Sequence, residues 1–100
     1  MIQVKIEKEK NKYRKIKVLG HAMYDDYGKD IVCSAVSSIV TTTVNGILLL
    51  DKESISYLVG KKGMNIDIKN DDRTTQVLIQ NMVNLLKELE VQYPDNVHLE

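Results

Sequence analysis

Residues 13–40 read YRKIKVLGHAMYDDYGKDIVCSAVSSIV, and the period of the hydrophobic pattern changes within this stretch. Up to Val18, apolar and polar side chains alternate, which is the period of a half-buried β-strand. From Ile31 the apolar positions repeat as they do on one face of a helix, and Asp30 is a suitable N-cap. The stretch therefore predicts a strand that ends near Gly20 and a helix that begins after Asp30.

The residues on either side complete a hairpin and a helix. Ile2 and Val4 alternate with polar residues, and a polar turn at 9–12 joins this first strand to the second. The helical pattern continues from Ile31, and Asn45-Gly46 is a suitable C-terminal stop. The first half of the chain therefore predicts the order strand, strand, helix.

The second half of the chain repeats this order. Two short β-like runs around the GKKG turn at 60–63 predict a second hairpin. Polar residues at 70–72 offer caps for a second amphipathic helix, which ends at Tyr93-Pro94, and residues 96–100 fit a short last strand. The order ββαββα with this possible last strand predicts an α+β fold, in which two helices pack on one mixed β-sheet.

Length and composition restrict the class of protein. The chain has 100 residues, which suffices for one domain over residues 1–100 and not for two. Its formal net charge is zero, which argues against a dedicated nucleic-acid binder. We expect no membrane partner, because no apolar run approaches the roughly 20 residues that span a bilayer and the N-terminus lacks the pattern of a signal peptide. A lone cysteine indicates a reduced thiol and a cytoplasmic location.

That cysteine is Cys33, and with Asp30 as N-cap it is the third residue of the helix. The unpaired N–H groups and the positive dipole end of a first turn favour a thiolate, and the N–H groups near Ser34 are suited to an oxyanion hole. At about 100° per residue, Cys33 lies at the edge of the apolar helix face. His21 is its only plausible proton partner. A small buried hydrophobe and a surface histidine are the alternative interpretations.

The run GHAMYDDYGKDIVCSAVSS at 20–38, followed by TTTVNG at 41–46, resembles the ribosomal-processing cysteine protease family (Prp). The likeness extends along the whole chain. It implies a homodimeric protease that removes the N-terminal extension of a large-subunit ribosomal protein, after a pair of aromatic residues, as ribosome assembly requires. It also implies a catalytic dyad of His21 and Cys33, and it places the family's Asp and helix Ser on Asp30 and Ser37.

The roles follow from the chemistry of these side chains. Cys33 attacks the scissile carbonyl, while His21 takes the thiol proton and returns it to the leaving amine. Asp30 caps the helix and is also available to orient His21. Ser37 lies one turn beyond Cys33 on the same side, where it either hydrogen-bonds in the site or packs at its edge.

The segment between the dyad residues is a candidate lid. Gly20 and Gly28 bracket it and would let it move as a gate, although plain turn chemistry also explains both glycines. Met23, Tyr24 and Tyr27 either cover the aromatic side chains of a substrate or belong to a solvent-exposed loop.

Other candidates are weaker. The GKKG turn at 60–63 has the Gly-x-x-Gly pattern of a KH domain, but that loop joins two helices, so a tight hairpin turn is favoured here. Asp25 and Asp26 are adjacent acids on a polar loop, and His98 is expected at the surface. A second cysteine, a histidine cluster and a phosphate loop are all missing from the sequence, so we expect no metal and no cofactor.

Two functions of other classes compete with the protease. Residues 1–17 carry seven Lys or Arg against two Glu, which indicates either a solvated hairpin or a surface for an anionic partner such as ribosomal RNA. The first rival is therefore a non-catalytic assembly module that binds RNA or a ribosomal protein, although the net charge of zero and the five aromatic residues, all Tyr, give no reason to expect direct nucleic-acid binding. The second is a structural homodimer in which Cys33 only packs.

Overall fold

The computed structural model describes residues 1–20 and 31–100. The elements are β1 (Ile2–Glu9), β2 (Lys12–Leu19), α1 (Ile31–Leu50), β3 (Ile55–Gly60), β4 (Gly63–Ile68), α2 (Arg73–Gln92) and β5 (Val97–Leu99). The strands form one sheet in the order β3-β4-β2-β1-β5, in which only the β1–β5 pair is parallel. The predicted α+β fold with two helices, a mixed sheet and a short last strand is confirmed.

The two faces of the sheet differ as the alternating pattern predicts. Val4 and Val18 are paired across β1 and β2, and both are fully buried beneath the helices. On β2 and β4, the opposite face carries polar pairs such as Lys15 and Asp67, whose Nζ and Oδ1 atoms are 3.3 Å apart. The core therefore lies between the helices and one face of the sheet.

The first hairpin turns where the sequence predicts. Lys10 and Asn11 form the turn, with φ angles of 51° and 65°. Two central residues with positive φ match the right-handed twist of the strands that they join. The predicted turn at 9–12 is confirmed.

The predicted stop of the first helix at Asn45-Gly46 is wrong, because α1 continues to Leu50. Ile47, directly after Gly46, is 1% exposed. Burying such a side chain contributes about 1.5–3 kcal/mol, which outweighs the roughly 1 kcal/mol that glycine costs inside a helix. The helix ends one turn later, where the N–H of Asp51 donates to the carbonyl of Ile47 at 2.9 Å.

The longer helix also changes which face is buried. The buried residues of α1 are Val32, Cys33, Val36, Val40, Val44 and Ile47. This stripe runs the whole length of the helix and is rotated away from Ile31, which is 70% exposed. Cys33 is only 7% exposed, so the prediction that it lies at the edge of the apolar face is corrected: it lies on the buried face.

The sequence analysis also missed the apolar length of α1. By length and composition alone, this 20-residue helix is able to cross a membrane, which corrects the expectation that no such run exists. This is a weak indication, because the core helix of a globular protein has the same properties. Six residues of α1 lie in the core, as such a helix requires.

Helix α2 begins at a side-chain cap. The Asp72 carboxylate accepts the N–H of Thr75 at 3.2 Å, as the polar residues at 70–72 predict. This hydrogen bond lowers the pKa of Asp72. A lowered carboxyl pKa stabilises the fold above the pKa of the unfolded chain, and the contribution is lost as the pH falls through the folded value.

Asp72→Ala is therefore expected to lower the Tm at pH 7, and the difference from the parent is expected to shrink below about pH 4. Thermal melts followed by circular dichroism at pH 7 and pH 3 measure both effects. Asp95→Ala, in the exposed turn before β5, is the control and should change neither Tm. An equal loss at both pH values would contradict the capping role.

Gln76 of α2 binds the backbone of β2 where β4 no longer pairs with it. The Tyr13 N–H donates to Gln76 Oε1 at 2.8 Å, and Gln76 Nε2 donates to the Tyr13 carbonyl at 3.1 Å. One turn later, Gln80 Oε1 accepts the Tyr13 hydroxyl at 2.7 Å. Burial raises the pKa of Tyr13, and the hydrogen bond to Gln80 offsets part of that rise.

Gln76→Ala leaves these Tyr13 backbone groups without their side-chain partner, so we expect the free energy of unfolding to fall by about 1–3 kcal/mol. Urea denaturation of the parent and the variant measures this difference. Asn81→Ala, on the exposed side of the same helix, is the matched control and should have the midpoint of the parent. Coincident curves for Gln76→Ala and Asn81→Ala would show that the contact does not stabilise the fold.

Candidate active site

The first turn of α1 lies at the end of the sheet where β2 finishes. Leu19 of β2 pairs with Gly63, the first residue of β4, while Ile68 at the other end of β4 pairs with Ile55 of β3. The last turn of α1 leads into β3 at the Ile55 end. Because a 20-residue helix is about 30 Å long, its first turn lies toward the opposite end of the sheet, where β2 ends and β4 begins. Cys33 is therefore carried to the end of β2 that precedes His21.

Gly20 makes the sharp turn at this end of β2. Its φ is +74°, and a Cβ atom at this position would lie 2.4 Å from the carbonyl oxygen of Met1. Both observations require glycine and support the plain turn interpretation of Gly20. A hinge at this position stays a prediction.

Cys33 is the third residue of α1 and forms no disulfide. Its neighbours in the first turn include the backbone N–H groups that have no partner inside the helix. These groups and the positive end of the helix dipole favour a thiolate at this position. The site therefore has the backbone environment that a cysteine nucleophile needs.

Two serines accompany the thiol on the first two turns. Ser34 follows Cys33 directly and is exposed, and Ser37 lies one turn beyond Cys33 and is half-buried. The structure thus brings Cys33, Ser34 and Ser37 together on one end of α1. The oxyanion role of Ser34 and the supporting role of Ser37 stay predictions.

The other predicted site residues lie outside the described part of the chain. They are His21, Met23, Tyr24, Tyr27, Gly28 and Asp30, together with the acidic pair Asp25 and Asp26. Their roles also stay predictions.

The GKKG segment is a hairpin turn between β3 and β4, as predicted, and not the helix-joining loop of a KH domain. Gly63 has a φ of +141°, and a Cβ atom there would lie 1.9 Å from the carbonyl oxygen of Val18. This glycine is required for the close pairing of β4 with β2. Its function is structural.

The sequence analysis did not identify several apolar side chains that are exposed in the structure. Met1 is 65% exposed, Ile31 70%, Leu58 69% and Val59 49%. For Leu58 and Val59 the signal was available in the sequence, because the segment ISYLVG at 55–60 contains no charge although it is an edge strand among the described residues. Ile31 is the first residue of α1, and Leu58 and Val59 lie near the end of β3.

His98 is a surface residue, and no group of metal ligands lies in the described part of the chain. His98 lies on β5 with a side chain that is 54% exposed, as predicted, and its Nδ1 is 3.2 Å from Glu90 Oε2. The same oxygen accepts the N–H of Leu99 at 3.0 Å, so Glu90 joins α2 to β5. Among residues 1–20 and 31–100, no cluster of three or more His, Cys, Asp or Glu side chains could hold a metal ion.

A family model described as cysteine protease Prp matches residues 1–98. The chain belongs to the cysteine protease Prp family. A ribosomal processing cysteine protease Prp from Staphylococcus aureus strain Mu50 is 32% identical over 85 residues, which cover 80% of this chain and 78% of the relative. The Prp of Bacillus subtilis strain 168 is 26% identical over 107 residues, which cover 99% and 96% of the two chains.

Solved structures, Prp structures among them, share the fold. The S. aureus Prp in complex with a substrate peptide has a TM-score of 0.87 and 28% identity, over 100% of this chain and 98% of that chain. SMU.848 from Streptococcus mutans also has a TM-score of 0.87, with 30% identity, over 100% and 92%. A second S. aureus Prp structure holds a covalently linked product peptide.

Membership of the Prp family confirms the resemblance that the motif at 20–38 carries. It also confirms, at the level of the family, the expectation of a cysteine protease linked to ribosomal processing.

Proposed function

We propose that this chain is a cysteine endopeptidase that removes the N-terminal extension of a large-subunit ribosomal protein, a step that ribosome assembly needs. The observation that carries the proposal is the position of its one cysteine in the first turn of α1, in a chain that matches the Prp family over residues 1–98. The substrate peptide and the covalently linked product peptide in the S. aureus Prp structures support a peptide substrate for this chain.

The chemistry begins at the thiol. His21 takes the proton of Cys33, and the Cys33 sulfur attacks the scissile carbonyl carbon. The negative charge that forms on the carbonyl oxygen is stabilised by first-turn N–H groups, that of Ser34 among them. His21 then protonates the leaving amine, and water hydrolyses the remaining thioester to release the acid product and the free thiol.

Asp30 and Ser37 support this pair. Asp30 directly precedes α1, so its first role is to cap the helix on which Cys33 lies, and its second is to orient His21. Ser37 is half-buried one turn below Cys33, where its hydroxyl can fix the position of the thiol.

The segment with Met23, Tyr24 and Tyr27, between Gly20 and Gly28, is the proposed lid over the substrate. The support comes from the thiol itself, because a side chain that is 7% exposed is shielded from a peptide carbonyl. A conformational change must therefore expose Cys33 to the substrate. The two aromatic side chains of the substrate, before the cleaved bond, would then contact the apolar side chains of the lid.

The remaining properties follow the same assignment. We take residues 1–100 as one protease domain that acts in the cytoplasm as a homodimer and needs no cofactor. The homodimer and the location rest on the resemblance to the Prp family and on the reduced state expected of a lone cysteine.

The test is cleavage of a synthetic peptide that spans the junction of the ribosomal protein extension, with products identified by mass spectrometry. The parent is expected to cut once, after the aromatic pair, and Cys33→Ala is expected not to cut. His98→Ala, which alters the other histidine, should cleave like the parent. Tight binding of the peptide by the parent without any cleavage would favour the rival assembly module.

A further inference from the structure

A cleft of about 350 Å³ lies between the turn of the first hairpin and the first two turns of α2. Cationic side chains and amides line it, and none of its described lining residues carries a carboxylate. The cations are Lys8, Lys12 and Arg73, and the amides are Asn11, Gln76 and Gln80. Ligand sites in proteins have volumes of about 300–1,000 Å³, so the cleft is large enough for a segment of a polymer. We call it the cationic cleft.

A β-bulge positions one of the cations. The pairing of β1 with β2 shifts by one residue after Glu7, so Lys8 pairs with Tyr13 and Arg14 is the extra residue. The side chain of Tyr13 is buried against α2, and the Nζ atom of Lys8 lies 4.6 Å from the centre of the Tyr13 ring. A cation at this distance is attracted to the face of an aromatic ring. The ring therefore holds Lys8 at the wall of the cationic cleft.

The acidic side chains near the cationic cleft are already engaged. Arg14 forms ion pairs with both Glu9 and Asp71, and its Nε atom is 3.7 Å from Glu9 Oε1. Asp72 accepts a backbone N–H as the cap of α2. Among the described residues, no carboxylate lies within ion-pair distance of the three cations of the cleft. Their charges are therefore available to a ligand.

This placement of charge is unfavourable for the fold alone. Arg73 is the first residue of α2, and the first turn of that helix contains no acidic residue. The positive end of a helix dipole favours anions, so a cation at this position is destabilising. Lys8 and Lys12 add repulsion between like charges. An anionic ligand in the cationic cleft would remove both penalties.

The cationic cleft is remote from the candidate active site. Leu19 lies six residues after Tyr13 on β2, which corresponds to about 20 Å along the strand. The first turn of α1, with Cys33, lies toward the Leu19 end. A ligand in the cationic cleft therefore leaves the thiol accessible to a peptide.

We propose that the cationic cleft binds the phosphate backbone of single-stranded RNA. A phosphodiester chain carries one charge per nucleotide, so neighbouring phosphates reach several cations of one cleft, and the guanidinium of Arg73 matches two phosphate oxygens. Tyr13 is the one aromatic residue of the described lining, and its ring is buried. Because no ring is free to stack on a base, the cleft recognises the backbone and not the sequence.

This inference revises the expectation of no direct nucleic-acid binding, which followed from the formal net charge of zero. Net charge is a sum over the whole chain, whereas RNA contacts one part of its surface. The role of the cleft rests on the proposed function. For an enzyme that processes a ribosomal protein, the cleft holds the enzyme on the RNA with which its substrate assembles.

The experiment measures the fluorescence anisotropy of a labelled oligouridylate of about 20 nucleotides, titrated with protein at several salt concentrations. Each phosphate contact with a single strand contributes about −0.7 to the slope of log K against log salt concentration, so three cations predict a slope of about −2. Lys12→Ala/Arg73→Ala should bring the slope to about −0.7 and weaken binding at least about 10-fold at about 50 mM salt. Lys61→Ala/Lys62→Ala, in the turn between β3 and β4, removes the same charge elsewhere and should bind like the parent.

Circular dichroism melts establish that each variant is folded, and Lys8→Ala decides if Lys12→Ala/Arg73→Ala does not fold. A parent that does not bind the oligouridylate at about 50 mM salt would overturn the proposal, and so would equal losses in the two double variants. Polyglutamate of the same length that binds as tightly as the RNA would overturn it in favour of an acidic protein partner.

Cleavage of the extension peptide, measured without RNA, separates this proposal from the protease assignment. Neither double variant alters a residue of the proposed chemistry, so both should cleave like the parent. Cleavage by a parent that does not bind RNA would refute the cationic cleft alone. RNA binding by a parent that does not cleave would refute the protease assignment and leave the cleft in place.

Discussion

We expect Cys33→Ala to lower cleavage of the extension peptide by at least about 10³-fold, and His21→Ala to lower it by about 10²- to 10⁴-fold. Alanine at position 33 removes the nucleophile, so no thioester forms. Alanine at position 21 leaves the thiol in the favourable first turn of α1 but removes the group that accepts and returns the proton. The measurement is kcat/KM for the peptide at neutral pH, with melting curves that show each variant to be folded.

The two histidines of the chain make this test internally controlled. His98, on β5, contacts Glu90 of α2 and has no role in the proposed chemistry. His98→Ala should therefore keep the kcat/KM of the parent. The dyad is refuted by a His21→Ala enzyme as active as His98→Ala. A Cys33→Ala enzyme with parental activity would refute Cys33 as the nucleophile.

Gly63→Ala should destabilise the fold by more than about 3 kcal/mol, because strain at a glycine-only φ adds to a backbone collision. The new Cβ would lie 1.9 Å from the carbonyl oxygen of Val18, and backbone atoms cannot move aside as a flexible side chain can. The pairing of β4 with β2 at Leu19 would open, next to the end of the sheet where α1 begins.

Gly46→Ala is the matched control with the opposite sign. Gly46 lies inside α1, and a Cβ atom there would meet no atom within 4 Å. Alanine in a helix interior is favoured over glycine by about 0.5–1 kcal/mol, so this variant should be more stable than the parent. Urea denaturation of both variants gives the comparison, and similar losses for the two would contradict the structural assignment of Gly63.

The fold was predictable where periodicity and local chemistry agree. Alternation in the strands, the polar turn at 9–12 and a cap among residues 70–72 all depend on neighbours in sequence, and the structure has each of them. The end of α1 was not predictable in this way. Gly46 is a stop signal locally, and only the burial of Ile47 in the assembled core overrides it.

The candidate site was also predictable only where local sequence determines it. The first-turn position of Cys33 follows from the helical period, and the family follows from the motif at 20–38. The burial of Cys33 depends on the direction of the whole buried stripe of α1, which the pattern from Ile31 places on a different face.

The most direct test of the central claim is the chemical identity of the enzyme after reaction with substrate. Rapid acid quenching during cleavage, followed by tandem mass spectrometry, locates any covalent link between peptide and enzyme. We expect the N-terminal product joined through its new carboxyl carbon to the sulfur of Cys33, and we expect no adduct with Cys33→Ala. Cleavage by the parent with no adduct at Cys33, and an equal rate for Cys33→Ala, would contradict the account.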